Sequence, residues 1–279
     1  MRSLTTEHFG VSIPRLGVGT WSLRGKDAVA KVTDALATGV RHIDTAQAYG
    51  NEIEVGQAIR ESGIARDDLF VATKVWLDDV RPYDLLWSVR ESLDRMRLNK
   101  IDMLLLHWPH KSFSLERTMD AMNEARSRGL VKHLGVANFT TELFQQASKL
   151  SEAPLLCNEV ELHPFINQAC VMKNVRGMGA AVTAYAPLAS GLAHENAEIV
   201  AMAEKLGVTT GWLVLKWLLD HDGVIVLPRP SDKFSFSELD RFDGVELPQE
   251  VVDRLNAMRS QNMRIFNPSY APVWDKIAA

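Results

Sequence analysis

Cysteine is almost missing: the 279 residues contain two, Cys157 and Cys170. Two thiols cannot build a disulfide framework, and neither sits in a Cys-x-x-Cys pair, so free thiols are expected. Charge of one sign is also missing in any concentrated form. The formal net charge is −4, with acids and bases interleaved along the chain. The lack of a basic block or basic helical face argues against a nucleic-acid partner or an anionic membrane surface. No apolar run approaches the ~20 residues that span a bilayer. Residues 1 to 8 carry no apolar core segment, so a secretory leader is not expected. Internal repeats and low-complexity tracts are absent, which excludes solenoids. What remains is a cytoplasmic, monomeric enzyme or binding protein with ample core, since 46% of the residues are apolar and 24% charged.

The apolar residues fall into a regular alternation. Phe9 to Ile13 reads as a hairpin around Gly10, and Leu16 to Thr20 as a first core strand. A helix over Lys26 to Thr38 is closed by Gly39. Further strands are expected at Val40–Ile43, Leu69–Lys74, Ile101–Leu106, Val131–Val136, Leu155–Val160, Ala180–Ala184 and Val224–Leu227. Helical spacing follows at Asn51–Arg60, from Pro82 through Leu93, and at Leu115–Arg126, Thr141–Leu150 and Asn167–Arg176. It recurs at Ile199–Leu218 with a break near Gly207, and at Gln249–Arg259. Strand–helix alternation predicts a parallel sheet. Eight units in ~250 residues predict an α/β fold, a single (β/α)8 TIM barrel occupying 1–279 as one domain, with an N-terminal β-hairpin. A doubly wound sheet would place Gly-x-Gly-x-x-Gly after its first strand. Here Gly17-Val18-Gly19 runs into Thr20-Trp21-Ser22, and Gly177-Met178-Gly179 precedes a strand.

Barrel active sites lie where the strands end. Asp44 ends the second strand, Lys74 the third and His107 the fourth, and Tyr49 lies on the loop after Asp44. Singly, each has an ordinary explanation: a helix cap, a snorkelling lysine, a satisfied core histidine, a loop tyrosine. Three strands delivering them to one quadrant is harder to explain that way. The set suits protonation of a carbonyl oxygen. A phenol has a pKa of ~10, and a donor working near neutrality benefits from a lower one. The Lys74 ammonium would stabilise the phenolate, Asp44 would keep that ammonium charged and aimed, and His107 would orient the substrate oxygen. No side chain supplies a hydride, so reduction needs a cofactor.

Asp44-x4-Tyr49, Lys74 and His107-Trp108-Pro109 resemble the tetrad of the aldo-keto reductases. Leu16 to Trp21, Gly135 to Phe139, Asn158 to Pro164 and Ala184 to Leu188 resemble that family's motifs as well. The likeness runs from about Phe9 to Asp275. The run Asn262 to Pro268, with Trp274-Asp275, resembles short-tailed bacterial members related to 2,5-diketo-D-gluconate reductase, which implies a short C-terminal tail over the rim. The resemblance implies NAD(P)H-dependent reduction of small aldehydes or ketones, of dicarbonyl or keto-sugar type, with Tyr49 as proton donor. It places Asn138 and Glu159 at the nicotinamide carboxamide and stacks Tyr185 on the ring. It adds Thr20, Trp21, Asp44, Ala186, Leu188, Gly191, Arg229, Pro230, Ser231, Ser235 and Glu238 to the cofactor contacts. Trp21, Trp76 and Trp108 would wall the substrate pocket beside Tyr49 and His107.

The chain departs from the family's pattern in three places. Ala137 stands where a Ser is usual, which removes one carboxamide hydrogen bond. Glu159 replaces Gln, and a carboxylate can accept a hydrogen bond but cannot donate one. The adenine-end pattern of Pro-Lys-Ser with a later Arg reads Pro228-Arg229-Pro230-Ser231, with Ser235 at the Arg position. Arg229 and Lys233 could take over a 2′-phosphate, since arginine suits forked phosphate contacts, so NADP(H) is favoured and NAD(H) possible. Two rivals come from other classes. His42, Asp44, His107 and His163 could ligate a metal in a barrel hydrolase, although His42 is expected to face away from Asp44. A non-catalytic NAD(P)-binding regulatory protein of the same fold would bind cofactor without turnover.

Overall fold

A computed structural model describes residues 4–76, 82–110, 113–239 and 245–276. Strands β1 (Thr5–His8) and β2 (Val11–Pro14) form an antiparallel hairpin. The chain reverses at Phe9 and Gly10, both with positive φ. The barrel strands are β3 (Gly17–Gly19), β4 (His42–Asp44), β5 (Phe70–Val75), β6 (Ile101–Leu106), β7 (Val131–Ala137), β8 (Leu155–Glu161), β9 (Ala181–Tyr185) and β10 (Val224–Leu227). All pair in parallel in sequence order. The ring closes between its first and last members. Val226 donates to the Arg15 carbonyl at 2.8 Å and Gly19 to the Pro228 carbonyl at 3.0 Å, leaving no free edge at this seam.

The helices are α1 (Gly25–Ala37), α2 (Glu52–Glu61), α3 (Pro82–Met96), α4 (Leu115–Ser127), α5 (Thr141–Leu150), α6 (Ala169–Gly177), α7 (Leu192–Glu195), α8 (Ala197–Leu206), α9 (Thr210–Leu219) and α10 (Gln249–Met258). Side-chain caps start several of them: Thr140 accepts from Leu143 N, Asn196 from Ile199 N and Thr209 from Trp212 N. Gly207 ends α8 in the left-handed region, which is the expected break. Helix α6 starts two residues later than the sequence suggests. The Asn167 and Gln168 amides are used elsewhere, on Ala169 N and the Glu161 carbonyl. The four-residue α7 is too short to leave an apolar period and was not expected.

Two apolar shells follow from the period-two pleat. The outer shell packs strands against helices and includes Val71, Leu104, Val136 and Val182. The inner shell fills the barrel with Phe70, Ala72, Met103, Leu105, Cys157, Ala181, Ile225 and Leu227. Ile13 of β2 belongs to this inner set, so the hairpin plugs the end of the barrel opposite the strand C-termini. Arg15 fixes the plug by donating to the carbonyls of Leu219, His221 and Val224.

Helices α2 and α3 meet closely at Gly56. A Cβ added there would lie 2.2 Å from the Met96 carbonyl oxygen, a backbone atom that cannot swing aside. Gly56→Ala should therefore destabilise the fold by about 1–3 kcal/mol of overpacking, despite alanine's ~1 kcal/mol helix advantage over glycine. A urea titration of both proteins measures this, and an unchanged or raised midpoint would refute the close approach.

Candidate active site

The period of two that builds the inner shell also delivers the rim residues. Asp44, Lys74 and His107 continue the inward rows above His42 in β4, above Ala72 in β5 and above Leu105 in β6. Tyr49 ends a 3-10 turn, Gln47–Tyr49, just beyond β4. Gln47 locks that turn: its amide donates to Ser88 Oγ and Ser92 Oγ at 3.1 Å, and its carbonyl accepts from Trp76 N at 2.9 Å. Asn51 supports it from behind, bonding the carbonyls of Thr20 and Leu23 and accepting from Thr45 Oγ1.

Lys74 is fully buried, and its Nζ forms an ion pair with Asp44 Oδ1. The same ammonium lies 3.2 Å from the Thr45 carbonyl, 3.3 Å from Glu159 Oε1 and 5.3 Å from the Tyr49 ring centre. The Tyr49 and His107 rings meet edge to face at 5.7 Å. Burial works against the Lys74 charge, but Asp44 and Glu159 outweigh it and hold the ammonium above the ordinary lysine range. Burial pushes Tyr49 above the ordinary phenol range, and Lys74 opposes that without overcoming it. The lowered phenol expected from Lys74 alone is thus corrected: desolvation is the larger effect. Burial, with Lys74 adding to it, holds His107 well below the usual imidazole range, so its ring is neutral.

A cavity of about 1150 Å³ opens above this cluster. Trp21, Asp44, Tyr49, Trp76, His107, Trp108, Asn138, Glu159, Tyr185, Ala186, Leu188, Gly191, Arg229 and Ser231, all expected site residues, line it. The structure does not bring Thr20, Pro230 or Ser235 to the lining. Thr20 is buried behind the wall, tied by its backbone to Asp44 and Asn51, and Pro230 is buried too. Ser235 is exposed and bonds Ser237 at 3.0 Å. The side chain of Glu238 lies outside the described residues. Asn138 reaches the cavity with its amide already engaged: Nδ2 donates to the His107 carbonyl, and Oδ1 accepts from the Tyr185 hydroxyl at 2.8 Å. Ala137 is wholly buried in the inner shell and offers no polar atom. Lys233 pairs with Glu195 at 2.9 Å, both on the lining.

The expectation that His42 faces away from Asp44 is corrected. Residues two apart on a strand share a face, and His42 packs on Phe70 inside the barrel with ring centres 5.0 Å apart. It sits lower, against the Pro14 carbonyl. Among the described residues no three His, Cys, Asp or Glu side chains are grouped to hold a metal ion.

Sequence reasoning missed the side chains that close the cavity. Ser190, His194 and Glu195 come from the short α7 region, and Ile265, Phe266, Asn267, Pro268 and Tyr270 from the tail. Buried Glu161 anchors that tail: its Oε1 accepts from Ile265 N at 2.6 Å and pairs with His163 Nε2 at 2.9 Å, and its Oε2 accepts from Phe266 N at 2.9 Å. Phe266 then meets Trp21 and Tyr185 edge-on, and Tyr270 meets Trp76 and Trp108. Further on, Trp274 Nε1 bonds Asn267 Oδ1 at 2.9 Å, and Asp275 Oδ2 caps Thr141 N at 2.9 Å. The resemblance of Asn262 to Pro268 and Trp274-Asp275 implies a tail over the rim, but not which of its side chains reach the cavity or that Glu161 anchors it.

A closed parallel barrel with a phenol over a buried ammonium, at the floor of an aromatic-walled rim cavity, is a carbonyl-reducing enzyme's scaffold. The model of the Aldo/keto reductase family matches residues 15–258, and the chain belongs to that family. It is 32% identical over 268 residues to the methylglyoxal reductase DkgB of Salmonella typhimurium, covering 95% of this chain and 100% of the relative. It is 34% identical over 263 residues to a glyoxal reductase of Bacillus subtilis, covering 94% of each. A crystal structure provisionally assigned as 2,5-diketo-D-gluconic acid reductase B superposes with a TM-score of 0.90 at 38% identity, covering 96% of this chain and 95% of the other. A Bombyx mori aldo-keto reductase in complex with NADP superposes at 0.88 with 26% identity, covering 98% and 100%.

Glu161 generates a prediction with a sign. Burial raises its pKa, but the bonds from His163, Ile265 and Phe266 outweigh burial and bring it below the ordinary carboxylate value. Its hold on the tail is therefore complete above an unfolded value of ~4.3 and is lost as pH falls through the depressed folded value. Glu161→Ala should free the tail at neutral pH, making residues 262–276 protease-sensitive while the barrel stays resistant. Limited proteolysis with mass spectrometry checks this, and an equally protected tail would refute the anchor.

Proposed function

We propose that this chain reduces small aldehydes and ketones, of dicarbonyl or keto-sugar type, to alcohols with NADPH, as a single-domain cytoplasmic monomer. The observation that carries the reading is the fully buried Lys74–Asp44 pair beneath the Tyr49 phenol at the floor of the cavity. The names of the relatives, a methylglyoxal and a glyoxal reductase, support the dicarbonyl class. The NADP-bound neighbour supports the cofactor. The absence, among the described residues, of a helix able to cross a membrane and the two free cysteines are compatible with the cytoplasm.

The residues present fit a nicotinamide dinucleotide. The cavity exceeds the volume a small carbonyl needs, and it runs from the loops after β4, β5 and β6 to those after β9 and β10. Glu159 Oε2 is buried in its lining with no hydrogen-bond partner. Glu159, Asn138 and Tyr185 would hold the nicotinamide end, and Arg229 and Ser231 the phosphate-bearing end. When bound, the reduced cofactor supplies the two electrons and one hydrogen that no side chain here can give.

The chain's own residues do the rest. Tyr49 donates its phenolic proton to the substrate oxygen. Lys74, 5.3 Å from the ring, stabilises the phenolate that remains, and Asp44 keeps the ammonium in place. Neutral His107 donates a hydrogen bond that turns the carbonyl oxygen toward Tyr49. Trp21, Trp76, Trp108, Phe266 and Tyr270 exclude water and suit a compact substrate.

Tyr49→Phe should lower turnover of methylglyoxal by about 10²–10⁴-fold with NADPH binding retained. Lys74→Met should abolish turnover and also leave binding largely intact. Stopped assays beside fluorescence titration measure both quantities, and cofactor binding without turnover in the wild type would sink the reductase reading. For cofactor choice, Arg229→Ala should raise the Kd for NADPH about tenfold or more, the size of a lost charge-assisted contact, with little effect on NADH. An equal change for both cofactors would remove Arg229 from the 2′-phosphate.

A further inference from the structure

Glu159 stands on the inward row of β8, between Cys157 and Glu161. It is 2% exposed, yet it lines the cavity. Its Oε1 lies 3.3 Å from Lys74 Nζ, and its Oε2 has no partner. Asp44 holds the closer contact to the same ammonium through Oδ1, and Asp44 Oδ2 is likewise unpartnered. One ammonium therefore faces two buried carboxyl groups. If both were ionised, the floor of the cavity would carry an uncompensated negative charge, a costly arrangement away from water. The other groups facing this floor do not relieve it. Tyr49 and Tyr185 are held above the ordinary phenol range by burial, and burial pushes the Cys157 thiol up to about 12. His107, lying in the field of Lys74, is neutral.

We propose that Glu159 is a pH-dependent positioning residue that works as a neutral carboxylic acid. In that form it leaves Lys74 paired one-to-one with Asp44 and facing the Tyr49 phenol, and its proton bridges to the Asp44 carboxylate at the cavity floor. As a carboxylate it competes for the ammonium, places a second negative charge beneath Tyr49 and loses the donor. Burial, reinforced by the Asp44 carboxylate, pushes Glu159 up to about 8, and Lys74 only partly opposes this. Ionised Glu159 in turn raises the phenol, making Tyr49 a weaker acid. An acid at this position thus keeps a donor at neutral pH and adds an alkaline limit. This rests on the reductase reading of the same site.

The test compares wild type with Glu159→Gln between about pH 6 and pH 9.5, with three readouts. Wild-type kcat/KM for methylglyoxal should break downward near pH 8, falling about tenfold per unit beyond it, and NADPH affinity measured by fluorescence should weaken over the same range. Glu159→Gln should show neither break there. Infrared spectra of cofactor-free wild type at neutral pH should contain a protonated-carboxyl band that fades through the same range and is absent from the variant. A break at the same pH in both proteins, or no such band in wild type, overturns the proposal. If wild type neither binds NADPH nor turns over, the reductase reading fails, and the infrared band alone decides whether Glu159 holds a proton. The band in wild type also decides the matter if Glu159→Gln does not fold.

Discussion

A fully buried lysine ammonium is the constraint on which this structure turns. Lys74 has no exposure, and a lone charge in such a place would shed its proton or unfold its surroundings. Asp44 from the neighbouring strand makes it tolerable, and the cost is accepted where the phenol needs a fixed positive charge. Neither partner is useful without the other. Only strands held in register by a closed ring of hydrogen bonds keep the two side chains opposed, which is why the seam at Gly19 and Val226 and the plug pinned by Arg15 matter to chemistry far above them.

The site is layered accordingly. The inner shell supplies rigid rows, the charged pair sits at their upper end, and a wall of aromatic rings stands above it. Part of that wall comes from the barrel loops and part from the tail, so the cavity is completed by residues distant in sequence from those that do the chemistry. The Gln47 amide links the Tyr49 turn to α3 and to Trp76 N, so the proton donor and one aromatic wall move as a unit.

Much of this was legible in the sequence. Eight apolar runs separated by helical spacing admit few architectures, and the ends of parallel strands define one rim. Asp44, Lys74 and His107 could be placed there because strand ends are where the pattern is sharpest. What escaped was set by contacts with no local signature. The tail's course depends on Glu161 meeting backbone N–H groups about a hundred residues away. The balance of burial against Lys74 at Tyr49 is a three-dimensional sum, and the expectation of a lowered phenol counted only one side of it. His42 was misassigned by neglecting that residues two apart share a face. Thr20 and Ser235 were placed by motif position, and motif position does not say which way a side chain turns.

The tail is stapled at both ends, by Glu161 to residues 265 and 266 and by Asp275 to the start of α5, and it is closed on itself where Trp274 meets Asn267. The arch between the staples packs Tyr270, Ala271 and Trp274 on Trp108, which itself walls the pocket. A change in the arch is thus felt at the wall, while the ion pair at the floor is held by strands that the tail does not extend.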